Sequence, residues 1–238
     1  MKSHFKFYFF RYSFLTLVFF LLSFNQASVD RLMMNMKSQS LHQGKVVNIE
    51  AELYYNSSSG VLLTRYTDPA GQIMITNEQG ELTVYDENNN TVTYSQGDEY
   101  STLTNIVRFF LQGMTQDMGL EAFGFSLMDT RFEDNLVITE WFPPQHLYGM
   151  FNRIKLVHED FLPVYAGYYD AQKNLAKKVY YSHYKSVGDV FIPTSVTEFN
   201  YIANDSVINR MLFTDIKTNY QARSPWFNFK VPDDALKN

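Results

Sequence analysis

The sequence of 238 residues contains no cysteine. Disulfide bonds, thiolate metal sites, cysteine nucleophiles and lipidation at an N-terminal cysteine are therefore excluded. The five histidines show neither HxxxH nor HExxH spacing, so the pattern predicts no metal site. The 11 glycines are scattered through predicted turns, and none belongs to a phosphate-binding loop. These absences argue against an enzyme and against a cofactor.

Basic residues are also in short supply. The chain has 20 Lys and Arg against 25 Asp and Glu, which gives a net charge of −5. Nucleic acids and anionic lipid surfaces select for clusters of Lys and Arg, so we expect neither as a partner.

The longest apolar run lies near the start of the chain. Lys2, Lys6 and Arg11 precede an apolar stretch of 13 residues, YSFLTLVFFLLSF, and Ala27 supplies a small residue for cleavage. An uncleaved anchor is the alternative, but a spanning helix needs about 20 residues. We therefore predict a secretory signal peptide over 1–27 and a single exported domain over 28–238.

Aromatic residues are abundant, with 17 Tyr and 21 Phe, which favours strands or an apolar cavity. From Gly44 onward the apolar residues recur with a period of two, as expected for antiparallel strands. The predicted strands cover 45–55, 61–67, 72–76, 81–85, 91–94, 123–131, 136–142, 153–158, 163–169, 177–184, 195–201 and 207–215. These eleven or twelve strands, joined mostly by short turns, predict one antiparallel sheet, which must curl as its twist accumulates.

Several predicted strands are apolar on both faces, for example Val179-Tyr180-Tyr181. Such a sheet needs a cover on both faces, or it holds an apolar ligand on one of them.

Two helices are predicted. The first is short and covers Val29–Leu41, with Leu32, Met33 and Met36 on one side. The second covers Ser101–Gly119 in about four turns, begins at Ser101 or Thr102 and ends at Gly119. Its apolar stripe consists of Leu103, Ile106, Val107, Phe110, Leu111, Met114 and Met118. With no second long helix available, this stripe must lie against the sheet.

The tripeptide His158-Glu159-Asp160 is the nearest approach to a catalytic or metal-binding cluster. It lies at the end of a predicted strand, just before a turn, so we interpret it as a solvated loop.

Three segments resemble the periplasmic outer-membrane lipoprotein carriers, the LolA-like family. They are GELTVYDENNNTV, FIPTSVTEF and the closing WFNFKVP. The order of elements is also similar, with an export signal and a short helix followed by strands, a helix and more strands.

The resemblance implies a mainly β fold with few helices, namely a curved antiparallel half-barrel with a helical lid. It implies a carrier without chemistry that binds lipoprotein acyl chains and ferries them from the inner to the outer membrane. Its implied partners are an inner-membrane lipoprotein-releasing ABC transporter and an outer-membrane acceptor, and the carrier would be a monomer. The family's Arg-Pro pair after the second strand is absent from Asn56–Gly60, so we assign no lid arginine.

We expect the following residues to line the acyl-chain cavity and its lid: Ile106, Phe110, Met114, Phe123, Phe125, Ile138 and Trp141. The alternative function is a lipid sensor or protein-interaction module on the same half-barrel, without transport.

Overall fold

The computed structural model describes residues 29–97, 106–111, 113–202 and 205–237. The predicted signal peptide lies outside them. The strands are β1 Arg31–His42, β2 Lys45–Asn56, β3 Val61–Asp68, β4 Ala70–Thr76, β5 Glu81–Asp86, β6 Thr91–Gln96, β7 Ser126–Glu133, β8 Leu136–Phe142, β9 Phe151–Glu159, β10 Leu162–Asp170, β11 Leu175–Val187, β12 Val190–Ile202, β13 Asp205–Thr218 and β14 Leu236–Lys237. One α-helix, α1 Ile106–Leu111, and three 3-10 helices, Gln145–Leu147, Asn219–Gln221 and Pro225–Asn228, complete the described elements.

All fourteen strands belong to one open sheet. Their order is β14-β6-β5-β4-β3-β2-β1-β13-β12-β11-β10-β9-β8-β7, and all pairs are antiparallel except β14 with β6. The prediction of a large antiparallel sheet is confirmed, although the count of about eleven strands was too low.

The first predicted helix is wrong, because β1 is a strand. Leu32 and Met34 are each 1% exposed and face one side, whereas Met33 packs on the other side. This period of two outweighs the helical spacing, because β1 pairs with β2 on one edge and with β13 on the other. The strand thereby joins two meanders, β1–β6 and β7–β13, into one sheet.

Apolar side chains form a cluster on each face of the sheet. The larger cluster lies on what we call the inner face, and it includes Leu53 and Tyr55 of β2. The smaller cluster lies on the outer face and includes Tyr54 of the same strand. The C-terminal segment covers this outer cluster, with the Phe227 ring 5.5 Å from Tyr54 and the Phe229 ring 6.1 Å from Tyr85.

The inner face is covered by α1 and the turns at 113–124, which we together call the cover. The predicted long helix is wrong beyond Leu111, since α1 ends there rather than at Gly119. Gly113 ends it with φ 67°, and the Met114 N–H donates to the Phe109 carbonyl at 2.9 Å. This is a Schellman cap, which requires a left-handed residue. The predicted start at Ser101 or Thr102 lies outside the described residues.

Gly113→Ala should therefore destabilise the protein by about 1 kcal/mol, because a Cβ disfavours the left-handed conformation. No heavy atom lies within 4 Å of the added Cβ, so the cost would come from the backbone alone. Urea denaturation measures it. Gly149→Ala is the matched control, since Gly149 also has open space but no positive φ, and it should leave stability nearly unchanged. Equal stabilities for the two variants would contradict the cap.

Candidate functional site

The cover packs tightly against the middle of the inner face. Phe110 is 1% exposed, and its ring lies 5.9 Å from each of the rings of Tyr181 and Tyr184. Met118 and Leu120 of the turns join the same cluster. These side chains occupy much of the space in which the sequence predicted an acyl chain.

A small cavity of about 120 Å³ remains beneath the described part of the cover. Its wall includes the ion pair between Lys177 and Glu198, whose atoms lie 3.2 Å apart. Burial raises the pKa of the nearby Tyr168 to about 12, and the charge on Glu198 adds to the effect. This volume is well below the roughly 300–1,000 Å³ of typical ligand pockets, so the space is too small for a long acyl chain.

A larger opening lies beside this cover, at the end of the sheet formed by β7, β8 and β9. We call it the rim groove, and its volume is about 490 Å³, within the range of small-molecule sites. It is lined by Gln116, Asp117, Glu121, Leu127, Phe132, Val137, Thr139, Trp141, His158 and Phe161. The apolar lining therefore comes mainly from the sheet and the polar lining mainly from the cover.

Strand alternation decides which side chains reach the rim groove. Val137, Thr139 and Trp141 lie at every second position of β8 and face inward, and the Trp141 indole N–H donates to Thr139 Oγ1 at 3.0 Å. Ile138 lies between them and faces outward, opposite Val157 and Arg131. Ile138 and Trp141 therefore lie on opposite faces of the sheet.

The other predicted site residues are divided among different environments. Phe125 is buried, and its ring lies 6.2 Å from that of Phe151. Phe110, Phe125 and Trp141 all belong to the inner cluster. Met114 and Phe123 are 36% and 41% exposed on the outside of the cover, and neither lines the rim groove. The side chain of Ile106 lies outside the described part of the structure.

Phe161 is the most exposed large apolar residue in the described chain, at 86%. With Asp160 it forms the two-residue turn between β9 and β10, and both have positive φ, 48° and 66°. This turn type favours Asn and Gly, and a bulky side chain is rare there. The protein thus accepts backbone strain and holds an apolar ring in water at the mouth of the rim groove.

His158 anchors the cover at the floor of the rim groove. It is 6% exposed, and its Nε2 lies 2.7 Å from the carbonyl oxygen of Thr115. A carbonyl accepts, so Nε2 donates, and burial lowers the pKa of His158, partly offset by this bond. The interpretation as a solvated loop was wrong for His158, because the turn begins only at Asp160. The neutral ring ties the cover to β9.

Arg65 is the first arginine after Asn56–Gly60 in the chain. It lies on the outer face of β3, where it pairs with Glu52 at 3.2 Å and its guanidinium stacks 4.6 Å from the Trp226 ring. It thus holds the C-terminal segment and lies on the face opposite the cover.

No group of three or more potential metal ligands converges among the described residues. No helix in this part of the chain has the length and apolar character needed to cross a membrane.

The described residues thus form an open, almost entirely antiparallel sheet with a cover on its inner face and an apolar opening beside the cover. No family model matches the sequence, and no curated protein matches it. Solved structures do match the fold. One is a domain from Vibrio parahaemolyticus that is described as a putative outer membrane lipoprotein-sorting protein. It aligns with a TM-score of 0.59 and 12% identity, covering 83% of this chain and 89% of its own.

Two further structures agree. A LolA superfamily protein from Nitrosomonas europaea gives a TM-score of 0.56 and 12% identity over 87% of this chain and 91% of its own. A DUF1329 family protein from Desulfovibrio piger gives a TM-score of 0.60 and 13% identity, covering 90% of this chain and 94% of its own. The chain has the LolA-like fold, as the sequence resemblance predicted. At such low identity the likeness shows the fold alone.

The anchoring role of His158 predicts a pH dependence. The folded state resists protonation of the buried ring, whereas the unfolded chain takes up a proton near the ordinary pKa of 6.5. The unfolded state then binds more protons, so stability should fall as the pH drops below about 6.5. His158→Gln keeps a donor without titrating, and its stability should change less between pH 7.5 and 5.5. Urea denaturation at a series of pH values tests this, and parallel curves would contradict it.

Proposed function

We propose that this protein is an exported carrier that binds the acyl chains of lipoproteins, or of other lipids, and ferries them from the inner to the outer membrane. The rim groove is the binding site in this proposal. The observation that supports it most is Phe161, strained and 86% exposed at the mouth of the groove.

An acyl chain would remove this unfavourable exposure. Leu127 and Phe132 are 52% and 76% exposed beside the groove, so three large apolar side chains border one opening. Burying a lipid chain against them is favourable by about 0.8 kcal/mol for each CH₂. Backbone strain at functional sites is retained when the strained residue serves the site.

The proposal revises the residue set that the sequence suggested. Trp141 remains a lining residue, whereas Phe110 holds the cover against the sheet and Phe125 packs against Phe151 of β9. The acyl chain would contact the apolar part of the lining, Leu127, Phe132, Val137, Trp141 and Phe161. The cover would serve as the lid, and its displacement, opposed by His158, would extend the groove toward the small inner cavity.

Cleavage of 1–27 would deliver a monomeric domain, 28–238, to the periplasm. There it would receive cargo from an inner-membrane ABC transporter and pass it to an outer-membrane acceptor. Binding would involve no chemistry and no cofactor.

The alternative is a lipid sensor or protein-interaction module that does not pass its ligand on. The exposed strand β7 at the end of the sheet supports a protein partner. Transfer of a bound fluorescent lipopeptide to acceptor vesicles separates the two functions, since a sensor would retain it.

The first experiment is a titration of the purified protein with an environment-sensitive apolar dye, followed by displacement with a lipopeptide. A carrier should bind the dye and release it as the lipopeptide enters the groove. Native mass spectrometry should then show one lipopeptide per chain. Absence of both dye binding and lipopeptide binding would refute the proposal.

Phe161→Gly provides a variant in which stability and binding should change in opposite directions. Glycine tolerates positive φ, so the free energy of unfolding should rise by about 1 kcal/mol. Loss of the ring should weaken lipopeptide binding about tenfold, which corresponds to the burial of part of a Phe side chain. Urea denaturation and dye displacement measure the two effects.

Lys173→Gly is the matched control, because Lys173 also has a positive φ, 69°, in the turn between β10 and β11 at the other end of the strands. It should also stabilise the fold but leave binding unchanged. If Phe161→Gly binds lipopeptide as tightly as the unaltered protein, the groove is not the acyl site.

A further inference from the structure

Among the described residues, strand β7 is a free edge of the sheet. It pairs with β8 along one side, and no strand pairs with its other side among the described residues. The opposite end of the sheet is protected differently, because β14 adds to β6 and the Leu236 N–H donates to the Asn90 carbonyl at 2.9 Å. All eight residues of β7 are exposed. An edge of this kind presents unpaired N–H and C=O groups to any extended chain that reaches it.

The free edge borders the rim groove. Leu127 and Phe132 belong to β7 and line the groove, and they pair with Trp141 and Val137 of β8, which line it too. A strand added beside β7 would lie about 4.8 Å away, and every second side chain would point to the inner face. An added segment would therefore extend the wall of the groove.

The surroundings of this edge are acidic. Exposed or half-exposed carboxylates flank the groove on the cover and on the two adjacent turns, namely Asp117, Glu121, Asp134 and Asp160. Among the described residues, the groove lining contains neither Lys nor Arg. Arg131 of β7 faces outward, opposite Ile138, and is paired with Asp129 at 3.2 Å and Glu140 at 3.0 Å. The local field therefore favours a positively charged ligand and opposes a phosphate.

We propose that β7 accepts an extended, basic polypeptide segment as a further strand, while the rim groove holds the acyl chain attached to that segment. The inference rests on the proposed function and defines its ligand. The cargo is an acylated polypeptide with Lys or Arg close to the lipid, in preference to an anionic phospholipid. The edge supplies backbone hydrogen bonds, the groove supplies apolar contacts, and the carboxylates select the charge.

The charge requirement is tested with three ligands that share one acyl chain: a palmitoylated Lys-rich peptide, the same peptide with Glu in place of Lys, and palmitate. Dye displacement should rank the Lys-rich peptide about tenfold above the Glu-rich one at low salt. The preference should shrink at high ionic strength, because exposed charges are screened. Glu121→Gln with Asp134→Asn should reduce it as well. Glu87→Gln, on a distant turn, is the control and should not.

The strand requirement is tested with two further versions of the Lys-rich peptide, each N-methylated at alternate residues. One version carries the methyl groups at odd-numbered residues and the other at even-numbered residues, and we call these the two methylation frames. Only alternate N–H groups of an added strand point to its neighbour, so one frame should lose at least tenfold in affinity and the other should retain it. Equal affinities for both frames would overturn strand addition.

The other outcomes separate this inference from the proposed function. If palmitate and both peptides bind equally well, the groove holds acyl chains but the edge and the carboxylates play no part, and the inference fails alone. Stronger displacement by vesicles of anionic phospholipid than by the Lys-rich peptide would likewise overturn it. If none of the ligands displaces the dye, the proposed function fails and the inference fails with it.

Discussion

The structure depends on one constraint, which is that its sheet is apolar on both faces and must be shielded from water on both. Strand β2 shows this within three residues, since Leu53 and Tyr55 face inward while Tyr54 faces outward, and all are nearly buried. Each face therefore needs its own cover. The outer cluster receives the aromatic C-terminal segment, and the inner cluster receives α1 and the turns that follow it.

The candidate site is located where the inner cover ends. Over the middle strands, Phe110 and Met118 fill the inner face and leave a cavity of about 120 Å³. Over β7, β8 and β9 the cover contributes mainly polar residues, and the apolar face of the sheet remains open. His158 marks the boundary between the two regions, because it binds the cover while its ring also lines the opening. Binding and any movement of the cover would thus be coupled through this residue.

Much of the fold could be read from the sequence. The recurrence of apolar residues at every second position correctly predicted most of the strands, and the short motifs correctly predicted the LolA-like fold. Two helix predictions went wrong for different reasons. The residues of β1 show both helical spacing and strand alternation. They form a strand because β1 pairs with β2 on one edge and with β13 on the other. In α1, the apolar stripe continued past Gly113, but the left-handed cap ended the helix, so Met118 is buried from a turn and Met114 is exposed.

The candidate site was less predictable. Phe132 and Phe161 are separated by 29 residues in the chain and come together only because β7, β8 and β9 are neighbours in register. A signal was present, since each is an aromatic residue beside an acidic turn, but nothing in the sequence shows that the two turns are adjacent.

The sequence by itself determined the alternation of apolar and polar residues, the turns and the acidic balance, because these are local or compositional properties. The tertiary structure decided which face each strand directs toward the cover, where the cover ends and which edge remains unpaired. These depend on pairing register and on contacts between distant segments. A shift of one residue in register would exchange the two faces without any change in the local pattern.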